Sequence, residues 1–354
     1  LPGKHQRVNT PGMTVPLDMA TIDFRAPGGP EVLRRLTLRT PAPGPGEVLI
    51  RVAGAGINSP DLQQRRGRYD PPPGASPILG LEVGGEVAAL GAGVARFSIG
   101  DRVVALCNGG GYAEYVAVPE GQVLPLPPNL NVLTGAALPE TYFTIEQTLV
   151  MRAGLSAGMW VLVHGAAGGI GGAAIVVALA HGAKPIAVVS SAEKGAYAAS
   201  LGAVAVIDRS REDFVTRSRE LTDGHGADRI IDVVGAQNVN HNLEAAATEG
   251  AIVQLATLGG PRAEINAGLV VSKRLTLIGS TLRPQPREVK AAIAASLSET
   301  VWPALAAGSI RTPHLQYFGL DEVFQAHKAM EKRDHYGKIV LVTAFGAQFV
   351  PPQP

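Results

Sequence analysis

The chain has 354 residues, 46% of them hydrophobic, and its 31 basic and 30 acidic side chains leave a formal net charge of +1. That length holds two domains of roughly 150–200 residues each, and so even a charge balance argues against a nucleic-acid or membrane-surface protein. The single cysteine, Cys107, excludes an intrachain disulfide framework and a four-cysteine structural zinc lobe, and it fits a reducing, cytoplasmic compartment; no run of about 18 apolar residues marks a transmembrane helix.

Residues 1–19 are punctuated by Pro and Gly and read as a flexible tail or cloning remnant, with Met13 or Met19 as candidate native starts. Short β-rich runs follow at Thr21–Phe24 and Val32–Leu38, then a strand from Val48 to Asn58. Asn58–Gly67 opens a short helix, with Ser59 as its cap and Pro60 at the first position. After the proline-rich loop Tyr69–Pro77, strands are expected in Leu79–Gly91, at the end of Phe97–Leu106 and in Tyr112–Val118. Many short strands between Gly and Pro imply a small β-barrel-like domain. A helical pattern begins near Thr134 and runs from Thr141 through Met151.

At Val161-Leu162-Val163-His164 the rhythm changes. This short buried strand leads into Gly165-Ala166-Ala167-Gly168-Gly169-Ile170-Gly171 and then an apolar helix over Ala173–Ala180. Strand, glycine turn and helix open a dinucleotide-binding unit: the glycines let the backbone approach a pyrophosphate, and the helix N-terminus offers it unpaired N–H groups. The spacing is not a strict GxGxxG, so the turn alone also suits an ordinary tight turn. Further strands are expected at Ile186–Val189, Val204–Ile207, Arg229–Val234, Ala251–Leu255 and Leu275–Ile278, with helices between the first five and a longer loop before the sixth. Six such strands make a doubly wound parallel sheet and an α/β fold. Beyond Arg283 come a helix, extended pieces at Ile310-Arg311 and Gln316-Tyr317, a helix over Asp321–Lys332 and a last strand over Gly337–Val342. This tail is expected to return to the first domain, which divides the chain into a β-rich domain of residues 20–141 and 284–354 and a nucleotide domain of residues 142–283.

The residues now carry a family. Asn58-x-x-Asp61-Leu62, Arg65-x-Gly67-x-Tyr69-Asp70-Pro71-Pro72-Pro73-Gly74-Ala75, Leu79-Gly80-Leu81-Glu82, Gly109-Gly110-Gly111-Tyr112-Ala113-Glu114-Tyr115-Val116, Ala137-Leu138-Pro139-Glu140, the glycine turn, Glu212-Asp213-Phe214 and Gly337-Lys338-Ile339-Val340-Leu341 together span about residues 20–345. With them the chain resembles the zinc-free quinone oxidoreductases of the medium-chain dehydrogenase/reductase superfamily, the tumour-suppressor-inducible type above all. The resemblance implies a GroES-like first domain, a Rossmann domain, NADP(H) in the cleft between them, and a homodimer formed through the edge strand 275–278.

The metal-dependent branch of that superfamily polarises its substrate with zinc. Where it has Gly-His-Glu, this chain has Gly80-Leu81-Glu82, and where it has a cysteine ligand, this chain has Asn58. Leucine cannot ligate, so no catalytic metal is expected, and Glu82 reads as a structural carboxylate. An NAD enzyme places an acid about 20 residues past the glycines to hold the ribose hydroxyls. Here Ser191 stands in that place, followed by Lys194. Lys194, and Arg209 after the third strand, where close relatives carry Tyr, can offer charge to a 2′-phosphate; both also suit solvated surface positions. The cofactor set implied by the resemblance is Gly165, Gly168, Gly169, Ile170, Gly171, Ser191, Lys194, Arg209, Leu258, Gly259 and Lys338.

At the reacting end the resemblance puts Asn58, Tyr69 and Thr144 around the nicotinamide and the substrate. Tyr69 is either a hydrogen-bond donor to the acceptor or a cleft wall. Tyr142 and Phe143 are pocket walls or core, and Ser280–Arg283 form a lid or a dimer contact. His164 reads as a packed histidine rather than a base, and Cys107 as a small buried residue. The activity implied is metal-free hydride transfer from NADPH to a quinone, whose oxygens become basic as it is reduced. An enoyl or alkenal reductase, with Tyr69 as proton donor to a C=C substrate, is the alternative on the same fold. A cofactor-binding structural or RNA-interacting, crystallin-like protein is a third reading, against which the near-neutral charge and the lack of a basic tract weigh.

Overall fold

The computed structural model describes residues 14–352, so residues 1–13 of the expected tail lie outside the described residues. The first strand, β1 (Asp18–Asp23), pairs antiparallel with β2 (Arg34–Arg39). A 3₁₀ turn at Pro30–Val32 lies between the two expected runs and takes up the start of the second, so that strand begins at Arg34 rather than Val32. Then come β3 (Glu47–Gly56), α1 (Ser59–Arg65), β4 (Glu82–Leu90), β5 (Arg102–Leu106), β6 (Tyr115–Pro119) and β7 (Val123–Pro125). The strand β4 begins at Glu82 rather than Leu79, since Gly80 turns the chain at φ +100°.

Two helices, α2 (Val132–Gly135) and α3 (Pro139–Ile145), lead out of this domain, and α3 continues as a π-helical stretch over Glu146–Arg152. Tyr142 and Phe143 of α3 are core, not pocket wall. One apolar cluster runs from Val104 and Leu124 through Leu138, Tyr142 and Phe143 to Ala174, Ile175 and Ile293. The helix α3 therefore joins the two halves through packed side chains rather than through a linker.

The second half alternates: β8 (Trp160–His164), α4 (Gly169–Ala180), β9 (Lys184–Val189), α5 (Ala192–Ser200), β10 (Ala205–Asp208), α6 (Phe214–Leu221), β11 (Ala227–Asp232), α7 (Asn238–Ala245), β12 (Ala246–Gln254), α8 (Ala267–Ser272) and β13 (Thr276–Gly279). The expected loop before the sixth strand contains the short α8. All pairings in this sheet are parallel, and its order is β10-β9-β8-β11-β12-β13. That is the doubly wound dinucleotide order, whose direction reverses between β8 and β11, and ligands bind such sheets in the crevice at the carboxyl ends of the strands there. Near-continuous apolar strands follow from coverage on both faces.

The chain closes with α9 (Arg287–Glu299), α10 (Val301–Ala306), β14 (Leu315–Gly319), α11 (Val323–Lys332) and β15 (Lys338–Val342). The strand β15 pairs antiparallel with β3, so the tail returns to the first sheet, whose order is β14-β15-β3-β4-β5-β7 with β6 on β3. Threading β15 back beside β3 sets Lys338 against the end of β3 and, through a backbone bond from Gly337 N–H to Ala167 O (2.9 Å), against the glycine turn.

Candidate active site

The glycine turn sits at the carboxyl end of β8. Gly165 has φ +64°, a conformation that a side chain would strain, and Gly168 caps α4. At Gly171 a Cβ would lie 2.3 Å from Gly165 O and 2.5 Å from Ala166 Cα. The helix thus approaches the turn too closely for any side chain, and its first N–H groups stand open at the switch point. An uncluttered backbone cradle on a helix N-terminus fits a pyrophosphate. Ile170 packs at the edge of the core.

Around the cradle, Ser191 caps α5 by accepting from Lys194 N–H (3.3 Å), and Lys194 Nζ donates to Arg333 O (2.9 Å). Arg209 is exposed, and its guanidinium makes no hydrogen bond or ion pair among the described residues. Beyond β12, the N–H groups of Leu258 and Gly259 donate to Val233 O (3.2 Å) and Val234 O (2.8 Å), which leaves the Leu258 side chain exposed. His164 is a packed histidine: Nε2 meets Asn242 Oδ1 at 2.7 Å, its ring stands edge-on to Phe214, and burial lowers its pKa.

The reacting end gathers at the junction of the halves. Asn58, not Ser59, is the N-cap of α1, and the Asp61 carboxylate reaches back to Asn58 N–H (2.8 Å). The Asn58 side chain is thereby free to point elsewhere: Nδ2 donates to Glu82 Oε1 (2.8 Å), and Oδ1 accepts from Lys338 Nζ (2.5 Å). Lys338 Nζ also lies 2.6 Å from Glu82 Oε1, and Glu82 Oε2 accepts Glu140 N–H (2.9 Å). Glu82 is fully buried and Lys338 4% exposed. The ammonium of Lys338 is committed to this triangle, while its stem lies beneath the glycine turn, where a Cβ on Gly169 would meet Lys338 Cδ at 2.7 Å and Thr141 Cγ2 at 3.4 Å.

Tyr69 is half-buried, with the Arg283 guanidinium 5.5 Å from its ring centre, and burial raises its pKa. Thr144 Oγ1 donates to Glu140 O (2.7 Å) one turn back on α3, which leaves its oxygen as an acceptor. Arg283 forms neither lid nor exposed contact; it is 4% exposed and donates to Asn108 O through Nε (3.1 Å) and to Gln64 Oε1 through Nη1 (2.7 Å). Lys290, 1% exposed, donates to Asn108 Oδ1 (2.5 Å) and Arg283 O (2.7 Å). Burial lowers the Lys290 pKa to about 8. Glu140, Lys290 and the inward turn of Arg283 are the members that reading the sequence missed. The available signal was a glutamate just after Pro139 inside an otherwise apolar stretch.

The structure thus brings Asn58, Tyr69, Thr144 and Lys338 to one junction beside the glycine turn, with Ser191, Lys194 and Arg209 outboard at the ends of the second and third sheet strands. Cys107 is buried in the first domain's core, where burial pushes its thiol up. Among the described residues no three His, Cys, Asp or Glu side chains are grouped to hold a metal ion, and no helix is long and apolar enough to cross a membrane. A depression of about 690 Å³ lies between the π-helical stretch and the loop after β13, lined by Gln147, Met151, Arg152, Ser280 and Thr281 and by none of the junction residues.

Residues 44–128 match the alcohol dehydrogenase GroES-like domain, and residues 169–298 match the zinc-binding dehydrogenase family. A quinone oxidoreductase of Pseudomonas aeruginosa is 35% identical over 327 residues, covering 91% of this chain and 98% of the relative. The solved quinone oxidoreductase of Pseudomonas syringae pv. Tomato superposes with a TM-score of 0.80 at 32% identity, over 92% of this chain and 99% of that one. The Escherichia coli quinone oxidoreductase, solved in complex with NADPH, gives a TM-score of 0.79 at 29% identity, over 91% of this chain and 99% of that one.

Proposed function

This chain belongs to the zinc-free quinone oxidoreductases of the medium-chain dehydrogenase/reductase superfamily, and on that premise we propose that it is an NADPH-dependent reductase of quinone-type acceptors. The observation that carries the reading is the Lys338–Glu82–Asn58 triangle. The Lys338 ammonium is held by a buried carboxylate and an amide oxygen, and its stem runs under the backbone cradle.

NADPH, when bound, supplies the hydride. The chain's own residues bind and orient. The α4 N-terminus and the Gly165–Gly171 turn take the pyrophosphate, with Gly168, Gly169 and Ile170 at the mouth. Ser191 and Lys194 hold the 2′-phosphate end, and Arg209, without other partners among the described residues, adds a planar fork suited to phosphate. Leu258 and Gly259 pass along the nicotinamide end. Lys338 and Glu82 fix the Asn58 side chain at the junction, and Asn58, Thr144 and Tyr69 surround the acceptor. The packed α3 junction keeps bulk water from the reacting atoms. A quinone accepts hydride without prior protonation, which suits a site whose described residues group no metal-ligand set.

The half-buried Tyr69 hydroxyl beside Arg283 favours a second reading, reduction of an enone or alkenal C=C with Tyr69 donating the proton. Tyr69→Phe separates the two: selective loss of enal over quinone reduction favours the second. Residues 20–141 and 284–354 serve as the catalytic domain and residues 142–283 as the cofactor domain. Two copies associate through the free edge of β13, and the single buried Cys107 suits the cytoplasm.

The direct test titrates NADPH and NADH against the protein and then screens acceptors with the tighter cofactor. The expected result is preference for NADPH and bleaching of its near-ultraviolet absorbance by quinones. Preference for NADH, or no bleaching across quinones and enones, contradicts the reading.

A further inference from the structure

We propose that Glu140 is the acid that returns a proton to the reduced acceptor, a role that rests on the reductase reading above. Glu140 is 9% exposed and opens α3 directly after Pro139. Its backbone is fully used: N–H donates to Glu82 Oε2 and the carbonyl accepts from Thr144 Oγ1. Its carboxyl is not. It has no hydrogen-bond or ion-pair partner among the described residues, and neither oxygen is among the side-chain atoms sealed from solvent without a partner. It is a nine-tenths buried acid whose functional end stays open at the junction that holds Asn58, Thr144 and Tyr69.

The surroundings hold the proton on. Burial acts most strongly, and the charges of Glu82 on β4 and Asp61 on α1 act in the same direction, while Lys338 on β15 and Lys290 on α9 oppose them. The balance raises the Glu140 pKa to about 8, so the carboxyl is protonated at neutral pH. Tyr69, Arg283 and the buried Cys107 complete the ring of groups within reach of its charge. Arg283 and Lys290 are buried with their hydrogen bonds spent on neutral oxygens. Once the proton leaves, these cations and Lys338 stabilise the carboxylate that remains.

The step balances as follows. The acceptor takes a hydride, two electrons with one hydrogen nucleus, and becomes a monoanion as the dihydronicotinamide is oxidised. The Glu140 O–H bond breaks, its proton bonds to the anionic oxygen or, for an enolate, to the α-carbon in place of a proton from Tyr69, and the carboxylate takes up one proton from solvent. A hydroquinone anion is a weak base and an enolate a stronger one, so the proton matters more for an enone.

The experiment compares the full-length wild type with Glu140→Gln and Glu140→Asp. Infrared pH titration of the wild type, without cofactor or acceptor, is expected to show a protonated-carboxyl band at neutral pH that fades as pH rises through about 8 and is missing from Glu140→Gln. With an enone, wild-type kcat falls over the same rise in pH. Glu140→Gln loses about 10²-fold in kcat and that pH limb, with NADPH affinity by fluorescence unchanged, and Glu140→Asp recovers part of the loss. An active Glu140→Gln enzyme with the wild-type profile, or a wild type without the band, overturns the proposal alone. A wild type that oxidises no NADPH with any acceptor overturns the reductase reading and the proposal with it.

Discussion

Lys338, Glu82 and Asn58 form a buried triangle of one cation, one carboxylate and one amide at the junction of the halves. A metal needs ligands that can be deprotonated or that carry lone pairs. Leu81 has none, and the buried Lys338 ammonium would repel a cation. The pair is an asset only while it is complete, because removing one member leaves an uncompensated buried charge. Lys338→Met is therefore expected to destabilise the fold by about 3–5 kcal/mol in urea unfolding. Adding Glu82→Gln to Lys338→Met should recover part of that loss, as coupled neighbours do. Full additivity of the two substitutions would contradict the coupling.

The glycine turn and α4 form the element to which we assign cofactor binding. The strand β8, the turn and α4 were legible because apolar run, glycine cluster and apolar helix are local signals, and the remaining sheet strands were readable for the same reason. The cap of α1 was placed one residue late, because Ser before Pro is a good local cap and only the tertiary pull of Glu82 and Lys338 shows why Asn58 takes the position. Glu140, Arg283 and Lys290 were not legible as site members. They come from α3, the loop after β13 and α9, and their meeting depends on how the halves dock. Gly171→Ala tests the element: its Cβ would lie 2.3 Å from Gly165 O, so the turn must open. The expected loss in NADPH affinity by fluorescence titration is tenfold or more, roughly 1.4 kcal/mol, with the circular dichroism spectrum unchanged. Unaltered affinity would mean that the cofactor does not use this turn.

At the scale of the molecule, one apolar cluster crosses from the first domain through α3 into the nucleotide half, so the cleft is built on packed elements. The free edge of β13, with Leu277 45% exposed and Val271 of α8 75% exposed, is the surface we propose for self-association. Sedimentation is expected to give a dimer that Leu277→Arg converts to monomer, and a wild-type monomer would contradict that assembly. The central claim, proposed above, is that this fold passes hydride from NADPH to a quinone-type acceptor with no bound metal. Its most direct test is single-turnover oxidation of NADPH by a quinone, using protein dialysed against a strong chelator and assayed for metal. The expected result is an undiminished rate in metal-free protein that added zinc does not raise; a rate that vanishes on chelation and returns with zinc would contradict it.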